Sequence, residues 1–189
     1  CGSPYWFMLH TEAPAGRRRW VTPQASNTPG SATFHWIGSV GLSAAAVQDA
    51  ALLTAIQMHM KATGLDPASL ILQIGETALA RHLEAARHFI AKARTMGMGI
   101  SVNNFTGQAV SMEVLAGIHI DFFGIDCGPD GLGEDALAAA IDAACALDQM
   151  ILAKGIKDAD IFTALFSRGV HYVQGDYLQP ASPGLDYNF

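Results

Sequence analysis

The feature that most constrains the fold of this chain is a rhythm. Short apolar strands begin near residues 34, 70, 99, 120, 149 and 171, at spacings of 21 to 36 residues, and each interval holds a helical pattern. Neighbouring parallel strands need crossovers of about a dozen residues or more, usually a helix, and right-handed crossovers coil the sheet one way. The predicted strands are Phe34–Val40, Leu70–Ile74, Gly99–Asn103, Ile120–Ile125, Met150–Ala153 and Tyr172–Val173. Ser43 is placed to cap a helix that runs to about Thr63 and stops at Gly64, and a second helix spans Thr77–Met96 before Gly97. Leu79, Leu83, Ala86, Phe89 and Ile90 fall on one face of that second helix. Ser111–Ala116, Glu134–Leu147 and Asp158–Ser167 complete the helices.

Ahead of this rhythm, Tyr5–Thr11 and Arg18–Thr22 read as two strands joined across Pro14-Ala15-Gly16, whose Pro and Gly suit a tight turn. A Ser-, Thr-, Pro-, Asn- and Gln-rich linker, Thr22–Ser31, follows. Eight strands in this arrangement favour an α/β chain folded as a (β/α)8 TIM-like barrel, with its first part modified or incomplete, over an open doubly wound sheet. No GxGxxG fingerprint and no P-loop opens any of the helices, which counts against a dinucleotide fold. The expected organisation is a single domain over 1–189: an irregular hairpin part (1–33), regular β/α repeats (34–180) and a C-terminal tail (181–189).

Composition sets the outer limits. With 50% apolar and 15% charged residues over 189 positions, the chain can bury a sizeable core and is not intrinsically disordered. No run of about 18 apolar residues occurs, so no membrane-spanning helix is expected. Three scattered cysteines, Cys1, Cys127 and Cys145, suit neither a disulfide scaffold nor a structural zinc site, and point to the reducing cytoplasm. Cys1-Gly2-Ser3 imitates a lipidated start, but is read as a fragment boundary because no signal sequence precedes it. Up to Arg94 there are 8 Lys/Arg against 5 Asp/Glu, whereas from Thr95 onward there are 3 against 12. An acidic second half argues against general binding to nucleic acid. Arg17-Arg18-Arg19, the one basic run, is read as a solvated hairpin edge.

A barrel of this kind places chemistry at the C-terminal ends of its strands. Those ends hold Val40-Gly41-Leu42-Ser43, Gln73-Ile74-Gly75-Glu76, Asn103-Asn104-Phe105, Ile125-Asp126, Ala153-Lys154-Gly155-Ile156-Lys157 and Gln174-Gly175. The ring offers amides, two lysines and two carboxylates, Glu76 and Asp126. Hard divalent cations take several charged oxygen ligands, so this ring disfavours a metal-dependent hydrolase. His59, His82 and His88 fall on helices, and His10, His35, His119 and His171 on or near strands without ligand spacing, so none is assigned to metal. Met58, Met60, Met96 and Met98 are expected to fill the core.

At these strand ends the chain resembles the EAL domain, a barrel family that hydrolyses cyclic di-GMP with divalent metal. LILQIGETAL (Leu70–Leu79) is similar to the family's fourth-strand motif, and GISVNNFTG (Gly99–Gly107) to its double-aspartate motif. IHIDFFGID (Ile118–Asp126) resembles the strand ending in Lys-Ile-Asp, and ILAKGIKD (Ile151–Asp158) the Ala-Glu-Gly-Val-Glu motif. YVQGDYLQP (Tyr172–Pro180) resembles the closing Gln-Gly motif. The same resemblance implies a chain that has exchanged its metal ligands. The metal-binding Asn falls on Gly41, the fourth-strand Glu on Gln73, and the paired aspartates on Asn103 and Asn104. The lysine that helps activate water falls on Gly124, and two glutamates fall on Lys154 and Lys157. The EAL tripeptide itself has no assignable counterpart, and the stretch before Phe34 is short for the family's second helix.

The resemblance extends to degenerate, receptor-type EAL domains that bind cyclic di-GMP without metal and support type IV pilus assembly and twitching motility with a PilZ-domain partner. The shared features are Gln73 in its Leu-Gln-Ile-x-Glu context, a seventh strand without its metal Glu, and the ending Tyr-Leu-Gln-Pro followed by Leu185–Phe189. Such receptors use an arginine after the EAL position and the second seventh-strand Glu; neither is present here. The expected cyclic di-GMP contacts are Gln73, Glu76, Asn103, Asn104, Asp126, Lys154, Lys157, Gln174, Tyr177 and Pro180, with no catalytic residue, metal or resident cofactor. Lys154 and Lys157 would face the two phosphates, or else pair with Asp126, Asp158 or Asp160 or point to solvent. Asn103 and Asn104 would donate to phosphate or a guanine edge, or cap the turn. Tyr177 and Pro180 would stack on a base or pack the rim. Glu76 would steady a loop or open the helix that follows it. The implied function is a non-catalytic receptor; the alternatives are an interaction module without nucleotide binding and a residual phosphodiesterase.

Overall fold

In the computed structural model, residues 6–7, 9–13, 17–22, 35–128, 131–156, 164–165 and 167–175 are described. The strands are β1 (Trp6–Phe7), β2 (Leu9–Ala13), β3 (Arg17–Thr22), β4 (His35–Leu42), β5 (Leu70–Gly75), β6 (Gly99–Asn103), β7 (Phe122–Asp126), β8 (Met150–Lys154) and β9 (Tyr172–Val173). Their order in the sheet is β1-β9-β8-β7-β6-β5-β4-β3-β2. From β4 to β9 every pairing is parallel, while β3 runs antiparallel to both β2 and β4. β1 and β2 stand at opposite ends of this order but are one residue apart in the chain. One stretch therefore pairs with β9 through Trp6 and Phe7 and with β3 through Leu9–Ala13, which closes the sheet into a barrel. The predicted first strand is thus real in two halves, and the barrel architecture is the one expected.

The helices α1 (Ala44–Gln48), α2 (Leu52–Thr63), α3 (Glu76–Arg81), α4 (Leu83–Thr95), α5 (Met112–Ala116) and α6 (Glu134–Ala146) fill the crossovers. The main core lies between them and the outer face of the sheet: Leu72, Ile74, Ile100, Val102, Phe123 and Ile125 meet Leu79, Ala86, Phe89, Ile90 and Ile141. Both faces of a parallel strand are covered in such a fold, so the strands read as continuous apolar runs. Inside the barrel a second, smaller apolar layer forms. Leu152 packs on Tyr172 apart from the main core, and Phe122 meets the Tyr172 ring edge-on at 5.7 Å.

Several expectations are corrected. The helix expected over Ser43–Thr63 breaks in two because the Asp49 carboxylate accepts from the Ala51 amide at 2.8 Å, a local turn that competes with the helix. The helix expected over Thr77–Met96 breaks at His82, whose φ of −129° and ψ of 43° end α3. β7 begins at Phe122 rather than Ile120, since the Asp121 side chain takes the Ile100 amide at 2.7 Å in place of a backbone partner. Arg17-Arg18-Arg19 lie on β3 in the hairpin with β2, and β4 flanks that strand on its other side. Met60 and Met98 are buried as expected and Met96 packs against the core, but Met58 is 67% exposed. Most of the last expected helix, Asp158–Ser167, falls outside the described residues.

Candidate functional site

The C-terminal ends of β4 to β9 surround a cleft of about 590 Å3, lined by Gly41, Leu42, Gln73, Gly75, Asn103, Asn104, Asp126, Lys154, Gly155 and Gln174. Side chains alternate across a strand. In β5, Leu72 and Ile74 therefore belong to the helix-facing core while Gln73 turns inward, and the same parity turns Asn103 and Lys154 inward.

These inward side chains form a hydrogen-bonded chain across three strands. Lys154 Nζ donates to Asn103 Oδ1 at 2.6 Å, and Asn103 Nδ2 donates to Gln73 Oε1 at 2.7 Å. Ser101 Oγ donates to the same Asn103 oxygen at a long 3.4 Å. An ammonium has donors only, so the contact fixes which end of the Asn103 amide faces it. Gln73 is buried by this arrangement, at 4% exposure.

Around this floor the rim is set by turns. Asn104 takes a left-handed backbone with φ of 51°, a conformation that Asn tolerates, and its exposed side chain lines the cleft. Asp126 lies opposite Lys154 in register, and its Oδ1 accepts from the Gly128 amide at 2.9 Å. The Gln174 backbone ties β8 to the loop after it, donating to Ala153 O at 2.8 Å and accepting from Ile156 N at 3.1 Å. Its side-chain Oε1 is buried without a hydrogen-bond partner among the described residues. Beside Asp126, burial and then the Asp126 charge push the Cys127 thiol up to about 11, so it stays protonated at neutral pH.

Of the residues expected at the site, Gln73, Asn103, Asn104, Asp126, Lys154 and Gln174 converge on the cleft. Glu76 does not line it. At 2% exposure, its carboxylate accepts from Thr106 N at 2.6 Å, Thr106 Oγ1 at 2.8 Å and Ala109 N at 3.2 Å, and so moors the loop after β6. A carboxylate committed to three donors in this way is a positioning residue. Lys157, Tyr177 and Pro180 lie outside the described residues. Gly41, Leu42, Gly75 and Gly155, which belong to the expected ring of strand ends but not to the expected nucleotide contacts, also line the cleft.

The donor set can be tested against a divalent cation. The floor presents neutral amides and an ammonium already bound to Asn103, with Asp126 as the one carboxylate among the described lining residues. Among the described residues, no three His, Cys, Asp or Glu side chains gather closely enough to hold a metal. Hard divalent ions want several anionic oxygens, and these residues do not fit one.

Comparison with known proteins places this cleft in a family. The EAL domain model matches residues 19–181, and the chain belongs to the EAL domain family. It is 28% identical over 152 residues to the cyclic di-GMP phosphodiesterase PA2567 of Pseudomonas aeruginosa, covering 77% of this chain but 26% of that protein. The FimX EAL domain of Pseudomonas aeruginosa bound to c-di-GMP superposes with a TM-score of 0.70 at 26% identity, over 80% of this chain and 64% of that one. The PaMucR phosphodiesterase in its c-di-GMP complex shares the fold, with a TM-score of 0.72 at 24% identity over 79% of this chain and 69% of that one. The chain thus spans about a quarter of its curated relative and just under two thirds of the FimX domain. Among the described residues, no helix is long and apolar enough to cross a membrane.

Proposed function

We propose that this EAL domain is a cytoplasmic receptor that holds cyclic di-GMP without metal and does not hydrolyse it. The observation that carries this reading is the Lys154 ammonium seated on Asn103, in a cleft whose described lining has Asp126 as its single carboxylate. Hydrolysis of a phosphodiester by a metal-activated water needs a cation held by anionic ligands; a receptor needs only to bind the charge and the bases. Gln73, Asn103, Asn104, Asp126, Lys154 and Gln174 are the contacts we assign, with Glu76 positioning the loop beside them. Lys157, Tyr177 and Pro180 extend the set, the lysine toward phosphate and the others toward a base. The likeness to FimX supports a role in type IV pilus assembly and twitching motility alongside a PilZ-domain partner.

A second reading draws on the same chain of side chains. Lys154, Asn103 and Gln73 bind one another, which favours an interaction module whose pocket no longer takes nucleotide. Titration calorimetry with cyclic di-GMP in EDTA separates the two. Binding at micromolar concentration or tighter is expected of the receptor, and no heat at high micromolar concentration selects the interaction module. Turnover of cyclic di-GMP on addition of manganese would overturn both.

A further inference from the structure

We propose that Gly124 determines the ligand specificity of this cleft. Its missing side chain gives the Lys154 ammonium a fixed seat on Asn103, and that tethered cation selects phosphate-bearing anions and turns divalent cations away. Gly124 lies on β7 between β6 and β8, directly paired with Asn103 on one side and Leu152 on the other. A Cβ built there would stand 2.5 Å from Asn103 Oδ1, 3.0 Å from Lys154 Cε and 3.1 Å from Lys154 Nζ. The 2.6 Å contact between the two side chains therefore runs through space that any other residue would fill.

The chemical consequence follows from what the contact occupies. Asn103 Oδ1 is an inward-facing oxygen of the floor, and it already accepts from a cation. A divalent ion approaching it would meet a positive charge at contact distance, and like charges that close repel. A phosphate oxygen would instead meet an ammonium that the Asn103 amide has already oriented, at little further ordering cost. Asp126 stands in register with Lys154 across the strand pair, and its Oδ1 accepts from the Gly128 amide. The ligand half of this inference rests on the receptor reading above; the seat itself does not.

Substitution of Gly124 is a clean probe because the atoms it meets are ends of side chains, so Gly124→Ala parts Lys154 from Asn103 while keeping every charge. Competitive acetylation read by mass spectrometry reports on the seat without any nucleotide. Lys154 in Gly124→Ala and in Asn103→Ala is expected to react several-fold faster than in the wild type, and equal rates would overturn the seat. Calorimetry in EDTA, with cyclic di-GMP and with inorganic pyrophosphate, reports on the anion. Gly124→Ala is expected to bind about tenfold more weakly, the scale of one hydrogen bond to a charged group. Unchanged affinity, or a wild type that binds neither probe, overturns the anion role. A wild type that binds pyrophosphate in a Gly124-dependent way but not cyclic di-GMP upholds the inference while refuting the nucleotide reading. Broadening of the wild-type Asn103 side-chain resonance by Mn2+ overturns the exclusion of metal.

Discussion

Single residues in this domain act through what they are already bound to. Glu76 is the clearest case, because its carboxylate carries three donors from a loop 30 and 33 residues away. Glu76→Gln removes the charge from those bonds and turns an acceptor oxygen into a donor facing donors. A loss of about 1–3 kcal/mol in stability is expected by denaturant unfolding, together with faster hydrogen exchange at Thr106 and Ala109. Cys127 supplies a pH signature. Its thiol is raised from 9.0 to about 11 in the folded chain, so above pH 9 the unfolded chain releases the proton first. The stability this group contributes is complete below pH 9 and is lost as pH rises toward 11, a change on the order of 2 kcal/mol. Unfolding midpoints from pH 8 to 11 should decline in the wild type, and more gently in Cys127→Ala. The converging amides and Lys154 were legible in the sequence from their places at strand ends. What Lys154 binds was not, since Asn103 lies 51 residues away and their contact depends on the gap at Gly124.

Elements were legible where burial writes itself as a pattern and obscure where one side chain overrides that pattern. The apolar runs of β5 and β6 announce strands covered on both faces, and Gly64, with φ of 67°, ends α2 as its position implies. The break at His82 carries no Pro, no Gly and no capping side chain, so nothing local announces it. The start of β7 is likewise set by a distant partner. Asp121 takes the Ile100 amide and pairs with Arg94 Nη1 at 2.7 Å, tying the end of α4 to the start of two strands. Asp121→Ala leaves that amide unsatisfied, and a cost of about 1–3 kcal/mol is expected, with the Ile100 amide exchanging faster than its neighbours. If Ile100 keeps its protection in the variant, the carboxylate is not what holds the strand.

At the scale of the whole molecule the fold depends on a closure made by very little chain. β1 contributes two residues to the pairing with β9, and β2 five to the pairing with β3. Removal of residues 1–13 would leave β3 and β9 as open strand edges, which are templates for pairing with other chains. The shortened protein is expected to unfold at lower temperature and to self-associate in size-exclusion chromatography; a monomer of unchanged melting temperature would show that the closure is dispensable. The periodicity of strands and helices gave the barrel, but not the way one stretch serves both of its edges, because that depends on register across the whole sheet.

That closure has a geometric corollary. Phe7 is laced to Val173, and the next residue along, Gln174, lines the cleft. The seam of the cylinder and the lip of its cup are therefore one residue apart, without the core between them.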